Sequence, residues 1–218
     1  MKLPISDRLL VCASFLHGRR VADIGCDHGY LGIHLLKNCN AKSIIAADIN
    51  EAPLQSAKRN AEKYGVAHQM TFCLSDGAKD IPRDFDALVC AGMGADTIIH
   101  ILEDAPWLQS EQYMLVLQCQ SKTPMLRRYL SDTGWQIVDE SIVKDGKFLY
   151  TVMAVVWQPE NAKLTAGECY ISPALIRSNC AELREYYARI VDGLRLAVNH
   201  QRDSEKTVIL AELEKMEL

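Results

Sequence analysis

Glycines and acidic residues cluster in one short segment at the end of the first predicted strand. The sequence VADIGCDHGYLG runs from Val21 to Gly32, and glycine at positions 25 and 29 permits positive φ angles and a close approach of a ligand to the backbone. The segment lacks the G-x-G-x-x-G pattern, because Asp27 and His28 stand where small residues would cradle a pyrophosphate. Asp23 and Asp27 would repel a diphosphate, so we expect a ligand with an amino group or a cationic centre.

The next two predicted strands also end at acidic residues. Asp48 lies 25 residues after Asp23, close to the spacing at which a carboxylate accepts hydrogen bonds from ribose hydroxyls. Asp76 could accept from the exocyclic amine of adenine, while Gly77 leaves the backbone free. Each has an alternative explanation: Asp48 could cap the following helix, in competition with Asn50, and Asp76-Gly77 could be only a turn.

A fourth strand runs into the loop VCAGMGAD, from Val89 to Asp96. Gly92 and Gly94 flank Met93, and such a loop could pack against a flat substrate, although Met93 could also be core packing. Asp96 is expected to cap the next helix. S-adenosylmethionine fits this set of residues, since it contains adenosine, an ammonium group and a sulfonium group; the alternative is a glycine turn without a ligand.

Alternating short apolar runs and helical periods predict βαβ units that would place these loops at one edge of a parallel sheet. Asp145-Gly146 separates two later apolar runs and predicts an antiparallel hairpin at the end of the sheet. The predicted strands are Val21–Ile24, Ser43–Ala47, Met70–Leu74, Ala87–Cys90, Tyr113–Leu117, Trp135–Val143 and Leu149–Trp157. The predicted helices are Tyr30–Leu36, Ala52–Tyr64 and Pro124–Asp132.

The sequence pattern changes near residue 160, where turn-forming residues become frequent and strand patterns stop. We therefore predict one domain over residues 1–160 and a coiled-coil-like helical hairpin over residues 161–218. The polar segment Asn199–Ser204 would separate the two helices. Their predicted apolar seam is Leu183, Tyr187, Ile190, Leu194, Ile209, Leu213 and Met216.

Composition narrows the class of protein. The chain has 218 residues and a net charge of -4, so any nucleic acid would have to bind a local basic patch. Such patches occur at residues 1–20, with four basic residues and one acidic, and at residues 118–130, with three basic and none acidic. Eight cysteines without a C-x-x-C pair suggest buried thiols and no zinc site. We expect a cytoplasmic protein without a membrane segment.

The motifs SDRL, DIGCDHGYL, ADIN, SDGA and AGMG, together with the helical tail, resemble the bacterial tRNA (adenine-N1)-methyltransferases that modify adenosine 22 in the D-arm of tRNA. The resemblance implies a Rossmann-like class I methyltransferase fold, an α/β sheet of seven mostly parallel strands with an antiparallel last strand. It also implies S-adenosylmethionine as cofactor and tRNA as partner. Ala95 and Cys119 depart from the family, which tends to have Gly and Pro there.

Carried over by position, the resemblance assigns three parts of the cofactor site: the glycine loop, the ribose contact at Asp48 and the adenine contact at Asp76. With the neighbouring loop residues added, the expected cofactor-binding residues are Asp23, Gly25, Asp27, His28, Gly29, Asp48, Ile49, Asp76, Gly77 and Gly92. Ser6 and Arg8 match the N-terminal motif of the family, at the expected substrate entrance.

In methyl transfer to N1 of adenine, the lone pair of N1 attacks the methyl carbon by direct in-line displacement of the sulfonium sulfur, so no strong base is required. Alignment of the reactants would contribute most, and carbonyl or carboxylate oxygens would stabilise the cationic product. The candidates for this role are Asp27, Met93 and Gly94. Tyr30 could stack on an extruded base or simply pack its helix against the sheet.

Contacts with the RNA are expected from Ser6, Arg8, Lys122, Arg127 and Arg128, and the candidates for phosphate contacts are Arg8, Arg127 and Arg128. No metal is expected, and the chain is expected to be a monomer or a weak homodimer. A class I methyltransferase with another RNA, DNA or small-molecule acceptor would share every cofactor residue. The residues are also compatible with a nicotinamide dehydrogenase and with a non-catalytic binding scaffold.

Overall fold

The computed structural model describes residues 3–200 and 204–217, without the side chain of His200. Its centre is a seven-stranded sheet with the strand order β3-β2-β1-β4-β5-β7-β6. All neighbouring pairs are parallel except that β7 is antiparallel to both β5 and β6. The strands are β1 (Arg20–Ile24), β2 (Ser43–Asp48), β3 (Met70–Leu74), β4 (Ala87–Met93), β5 (Met114–Cys119), β6 (Trp135–Asp145) and β7 (Phe148–Trp157). The expected sheet, mostly parallel with a final antiparallel hairpin, is confirmed.

Helices cover both faces of this sheet, which explains why its central strands are continuous apolar runs. One apolar core contains residues of α1, α2 and α3, and the other contains residues of α4 and α5. The helices are α1 (Asp7–Ser14), α2 (Tyr30–Asn38), α3 (Glu51–Tyr64), α4 (Ala95–Glu103), α5 (Thr123–Asp132), α6 (Pro173–Ser178), α7 (Leu183–His200) and α8 (Ser204–Leu213).

Two of these helices, α1 and α6, are absent from the predicted elements. They have eight and six residues, too few for a clear apolar period, and helices this short depend on tertiary packing. The expectation that Asp96 caps α4 is wrong. Gly94 occupies the N-cap position, while Asp96 lies in the first turn and accepts a hydrogen bond from Lys122 Nζ at 2.9 Å.

The C-terminal helices pack onto the end of the sheet through their apolar seam. All seven predicted seam residues belong to one apolar cluster, which also includes Ile142 of β6 and Leu175 of α6. The seam is therefore confirmed, whereas the domain boundary near residue 160 remains a prediction. Residues 201–203 of the predicted polar separator lie outside the described residues, and its other residues belong to α7 or α8. Lys2 of the basic patch at residues 1–20 also lies outside them.

A buried ion pair joins this tail to the sheet and corrects one sequence expectation. Arg127 of α5 and Glu140 of β6 are fully buried, with Arg127 Nη2 2.7 Å from Glu140 Oε1. Arg127 also donates to the backbone carbonyls of Cys169 and Tyr170, and Ser172 donates to Glu140. Arg127 is thus enclosed and fully engaged, so its expected contact with an RNA phosphate is wrong.

Six of the eight cysteine side chains are buried and two are partly exposed, and all eight are free thiols. Burial raises the pKa of the Cys119 thiol, whose Sγ donates to the backbone carbonyl of Ser121 at 3.0 Å. A raised pKa disfavours the thiolate, which is the nucleophilic form. Within the described residues, no helix combines the length and apolarity needed to span a bilayer.

Candidate cofactor and acceptor site

The glycine turn between β1 and α2 adopts a backbone that few residues tolerate. Gly25 and Gly29 both have φ near +72°, and Asp27 between them has φ of +50°. The turn is held by backbone hydrogen bonds from Gly25 to Ala47 of β2 and from Gly29 to Cys26, at 2.8 and 2.7 Å. The sequence pattern thus places the Asp27 side chain, which is exposed, at the carboxyl edge of the sheet.

Helix α3 fixes this turn from behind. A Cβ atom on residue 29 would lie 2.9 Å from the Cβ of Ala57, so glycine is needed for the close approach. His28 Nδ1 lies 2.8 Å from Ser56 Oγ, and Asn60 donates to the backbone carbonyl of His28 at 2.9 Å. Ser56 and Asn60 were not predicted, but their spacing of four residues places both on one helical face.

Asp23, at the end of β1, is a buried carboxylate with an unused oxygen. It is 4% exposed, and its Oδ2 has no hydrogen-bond partner among the described residues. Burial, assisted by the charge of Asp48, raises the pKa of Asp23 from 3.8 to about 7. An unpaired buried carboxylate is costly for the fold and is a common sign of a ligand site.

The second and third strand ends form one wall of a cavity of about 290 Å³. Asp48 is 8% exposed and one of its oxygens accepts from the backbone N–H of Asn50 at 2.9 Å. Ile49 is 61% exposed beside it, which gives the cavity an apolar rim. The predicted site residues that line this cavity are Gly25, Asp48, Ile49, Asp76, Gly77 and Met93.

A second cavity, also about 290 Å³, lies on the other side of Met93. Gly25 and Met93 line both cavities, and the terminal methyl group of Met93 occupies the space that a Cβ on residue 25 would need. The two cavities therefore meet at this contact. The predicted site residues that line the second cavity are Arg8, Asp23, Gly25, Asp27, His28, Tyr30, Gly92 and Met93.

The other predicted residues lie outside both linings. Gly29 packs against α3, and Gly94 starts α4 where a Cβ would meet Ser121 Oγ at 2.9 Å. Ser6 precedes α1, and its buried Oγ has no hydrogen-bond partner among the described residues. Lys122 and Arg128 are exposed.

Sequence reasoning missed Gln118, the polar residue of the apolar strand β5. Its side chain is fully buried and accepts hydrogen bonds from Arg8 and from the backbone of Gly92, at 2.5 and 2.8 Å. A glutamine inside the run MLVLQC is the signal that could have drawn attention to it, because buried polar side chains need partners.

The fold and the site together define a Rossmann-like methyltransferase. The sheet is mostly parallel, its last strand in the chain, β7, is antiparallel and lies second from the edge, a glycine turn follows β1, and acidic residues stand at the ends of β1 and β2. The family model described as "Methyltransferase domain" matches residues 5–153. The tRNA (adenine(22)-N(1))-methyltransferase of Bacillus subtilis is 33% identical over 154 residues, which cover 70% of this chain and 65% of that protein.

Two further relatives extend the similarity over most of the chain. The Mycoplasma genitalium protein named "Putative tRNA methyltransferase MG248" is 33% identical over 181 residues, 81% of this chain and 79% of that protein. The second is a crystal structure of Streptococcus pneumoniae Sp1610, "a putative tRNA (m1A22) methyltransferase", in complex with S-adenosyl-L-methionine. The two structures match with a TM-score of 0.84 and 30% identity, over 96% of this chain and 99% of that chain. The chain belongs to this family of tRNA methyltransferases.

Proposed function

We propose that this protein transfers a methyl group from S-adenosylmethionine to N1 of adenosine 22 in the D-arm of tRNA. The observation that carries the proposal is the pair of cavities that meet at Gly25 and Met93. One cavity is lined by Asp48 and Asp76, the proposed contacts to ribose and adenine, and the other is lined by Arg8 and Tyr30. A methyl donor with its adenosine in the first cavity and its methionyl group beside Asp23 in the second, next to the acceptor base, would need such adjacent sites.

The residues present fit S-adenosylmethionine. The cofactor supplies an electrophilic methyl group on a sulfonium sulfur. The free oxygen of Asp23 is a buried acceptor for an ammonium group, and Asp48 still has an oxygen to accept from a ribose hydroxyl. Asp76 would accept from the exocyclic amine of adenine while Ile49 and Ile101 pack against the ring. Gly25 lines both cavities, so its backbone borders the ligand on either side of the contact with Met93.

The acceptor half of the site would act mainly by position. Tyr30 lines the second cavity from the start of α2, where its ring could stack on an adenine extruded from the RNA. Asp27 and the carbonyl oxygens near Met93 and Gly94 would hold the exocyclic amine and stabilise the positive charge that develops on the base. A fixed near-attack geometry can lower the barrier by roughly 7–11 kcal/mol.

The tRNA would bind across the same edge of the sheet. Arg8 at the mouth of the second cavity and the exposed residues Lys122 and Arg128 are the proposed phosphate contacts, with Ser6 at the entrance. We propose that the protein acts in the cytoplasm as a monomer or weak homodimer without a metal, and that residues 1–160 form the methyltransferase domain and 161–218 the appended hairpin.

Transfer of a radiolabelled methyl group tests this function. The purified protein is incubated with labelled S-adenosylmethionine and an unmodified tRNA transcript that has adenosine at position 22. The matched control is the same transcript with guanosine at that position. We expect label in the first transcript and background in the second, and equal labelling of both would contradict the proposed position.

A further inference from the structure

Gln118 lies at the junction of three elements beside the second cavity. The pairing of β4 with β5 shifts register between Ala91 and Met93, so Gly92 forms a β-bulge. The bulge leaves the Gly92 N–H out of the strand ladder, and Gln118 Oε1 accepts from it at 2.8 Å. Gln118 Nε2 donates to the backbone carbonyl of Cys119 at 3.1 Å, so the amide has a fixed orientation.

The same oxygen of Gln118 holds the side chain of Arg8. Arg8 Nη1 donates to Gln118 Oε1 at 2.5 Å and lies 3.1 Å from the position of a Cβ on Gly92. Arg8 Nε is 4.0 Å from Asp145 Oδ2, and the Arg8 side chain is only 19% exposed. The guanidinium is therefore fixed against the bulge at Gly92 in β4, unlike a flexible surface cation.

This fixed cation faces an otherwise acidic cavity. Arg8 is the one lysine or arginine among its described lining residues, which include Asp23 and Asp27. The Arg8 side chain makes a single hydrogen bond within the described part of the chain, so further N–H groups of its five donors can bind a ligand. A planar guanidinium with fixed donors matches a carboxylate or a phosphate.

We propose that Gln118 is a positioning residue that fixes Arg8 as the oxyanion-binding group of the second cavity. The inference rests on the proposed function, because the oxyanion would be either the methionyl carboxylate of the cofactor or a phosphate next to the extruded adenosine. Both present the same chemistry to Arg8. The bulge at Gly92 and the orientation of Arg8 depend on one buried oxygen, so loss of that oxygen would disturb both.

The test compares Gln118→Met, which keeps the size and removes the acceptor, with Arg8→Gln, Arg8→Lys and the double variant Gln118→Met/Arg8→Gln. Thr151→Val is the matched control, since Thr151 is buried on the neighbouring strand and its Oγ1 has no partner among the described residues. Binding of S-adenosylhomocysteine is measured by calorimetry, and kcat and KM are measured with the tRNA transcript. Thermal unfolding reports the stability of each variant.

We expect Gln118→Met and Arg8→Gln each to change the same quantity at least tenfold, either the affinity for S-adenosylhomocysteine or the KM for tRNA. Weaker binding of S-adenosylhomocysteine would identify the carboxylate, whereas a raised KM for tRNA with unchanged cofactor binding would identify the phosphate. The double variant should differ from Arg8→Gln alone by less than threefold in that quantity, because Gln118 acts through Arg8. Arg8→Lys should weaken binding of that ligand nearly as much as Arg8→Gln. Lysine keeps the positive charge, but it lacks the planar donors of arginine.

An equal loss from Gln118→Met with and without Arg8 would overturn the proposal and indicate a structural role for Gln118 alone. Full activity of Arg8→Lys would also overturn it, and that variant serves if Gln118→Met fails to fold. If the unsubstituted protein methylates no tRNA, the proposed function fails, and the inference about Gln118 is then decided by cofactor binding alone.

Discussion

Asp23 shows how a single buried carboxylate links stability to ligand binding. The folded protein raises its pKa from 3.8 to about 7 through burial and the charge of Asp48. Because the unfolded chain ionises more readily, the native state binds more protons between these two values, and the free energy of unfolding falls as pH rises through this range. At neutral pH, ionisation of the buried Asp23 therefore lowers the free energy of unfolding, and a bound cationic ligand would offset this loss.

Substitution Asp23→Asn removes this titration while it preserves the size of the side chain. We expect the variant to match the unsubstituted protein in stability near pH 4 and to exceed it by up to about 4 kcal/mol at pH 8. Urea unfolding at several pH values measures the difference. The same variant should bind S-adenosylhomocysteine more weakly, and a stability difference that does not change with pH would contradict this assignment of the pKa.

At the scale of elements, the approach of α3 to the glycine turn positions the turn. Gly29 and Gly65 offer a matched pair, since their φ angles are +72° and +75° but only residue 29 has a neighbour within 4 Å. Alanine at either position must adopt a left-handed backbone, which costs roughly 1–2 kcal/mol. Only Gly29→Ala adds a clash with Ala57.

We therefore expect Gly65→Ala to lower the free energy of unfolding by about 1 kcal/mol without an effect on cofactor binding. Gly29→Ala should destabilise the protein further and weaken binding of S-adenosylhomocysteine, because the turn must move away from α3. Denaturant unfolding and calorimetry measure the two effects. Equal effects of both substitutions would show that the contact with Ala57 does not position the turn.

The elements and their ligand-facing ends were predictable for particular reasons. Apolar runs between glycine-rich turns identified the sheet, and Asp23, Asp48 and Asp76 stood out because acidic residues lie at or just after the ends of three successive strands. Gln118 and Arg127 could not be assigned in the same way. Their roles depend on partners 110 and 13 residues away in the chain, Arg8 and Glu140, and a sequence pattern does not show which buried partner a polar side chain meets.

For the whole molecule, the pair Arg127 and Glu140 fastens the C-terminal helices to the sheet. Removal of one partner of a buried ion pair leaves the other charge unpaired and typically costs about 3–5 kcal/mol. We expect Arg127→Met to destabilise the protein by this order, and the double variant Arg127→Met/Glu140→Leu to be less destabilised than the single one. Thermal and denaturant unfolding measure both.

The neighbouring Arg128 is the matched control, since it is exposed in the same helix. Arg128→Ala should leave stability within about 0.5 kcal/mol of the unsubstituted protein. It should instead raise the KM for tRNA and reduce the salt dependence of tRNA binding, as expected for a phosphate contact. A large stability loss from Arg128→Ala, or none from Arg127→Met, would reverse these assignments.

Mass spectrometry of the reacted tRNA tests the central claim most directly. Unmodified tRNA is incubated with the protein and S-adenosylmethionine, then digested either to nucleosides or with a ribonuclease to mapped fragments. We predict N1-methyladenosine as the new nucleoside, in the fragment that contains position 22 of the D-arm. A different methylated nucleoside, methylation confined to another fragment, or no methylation of any tRNA would contradict the account.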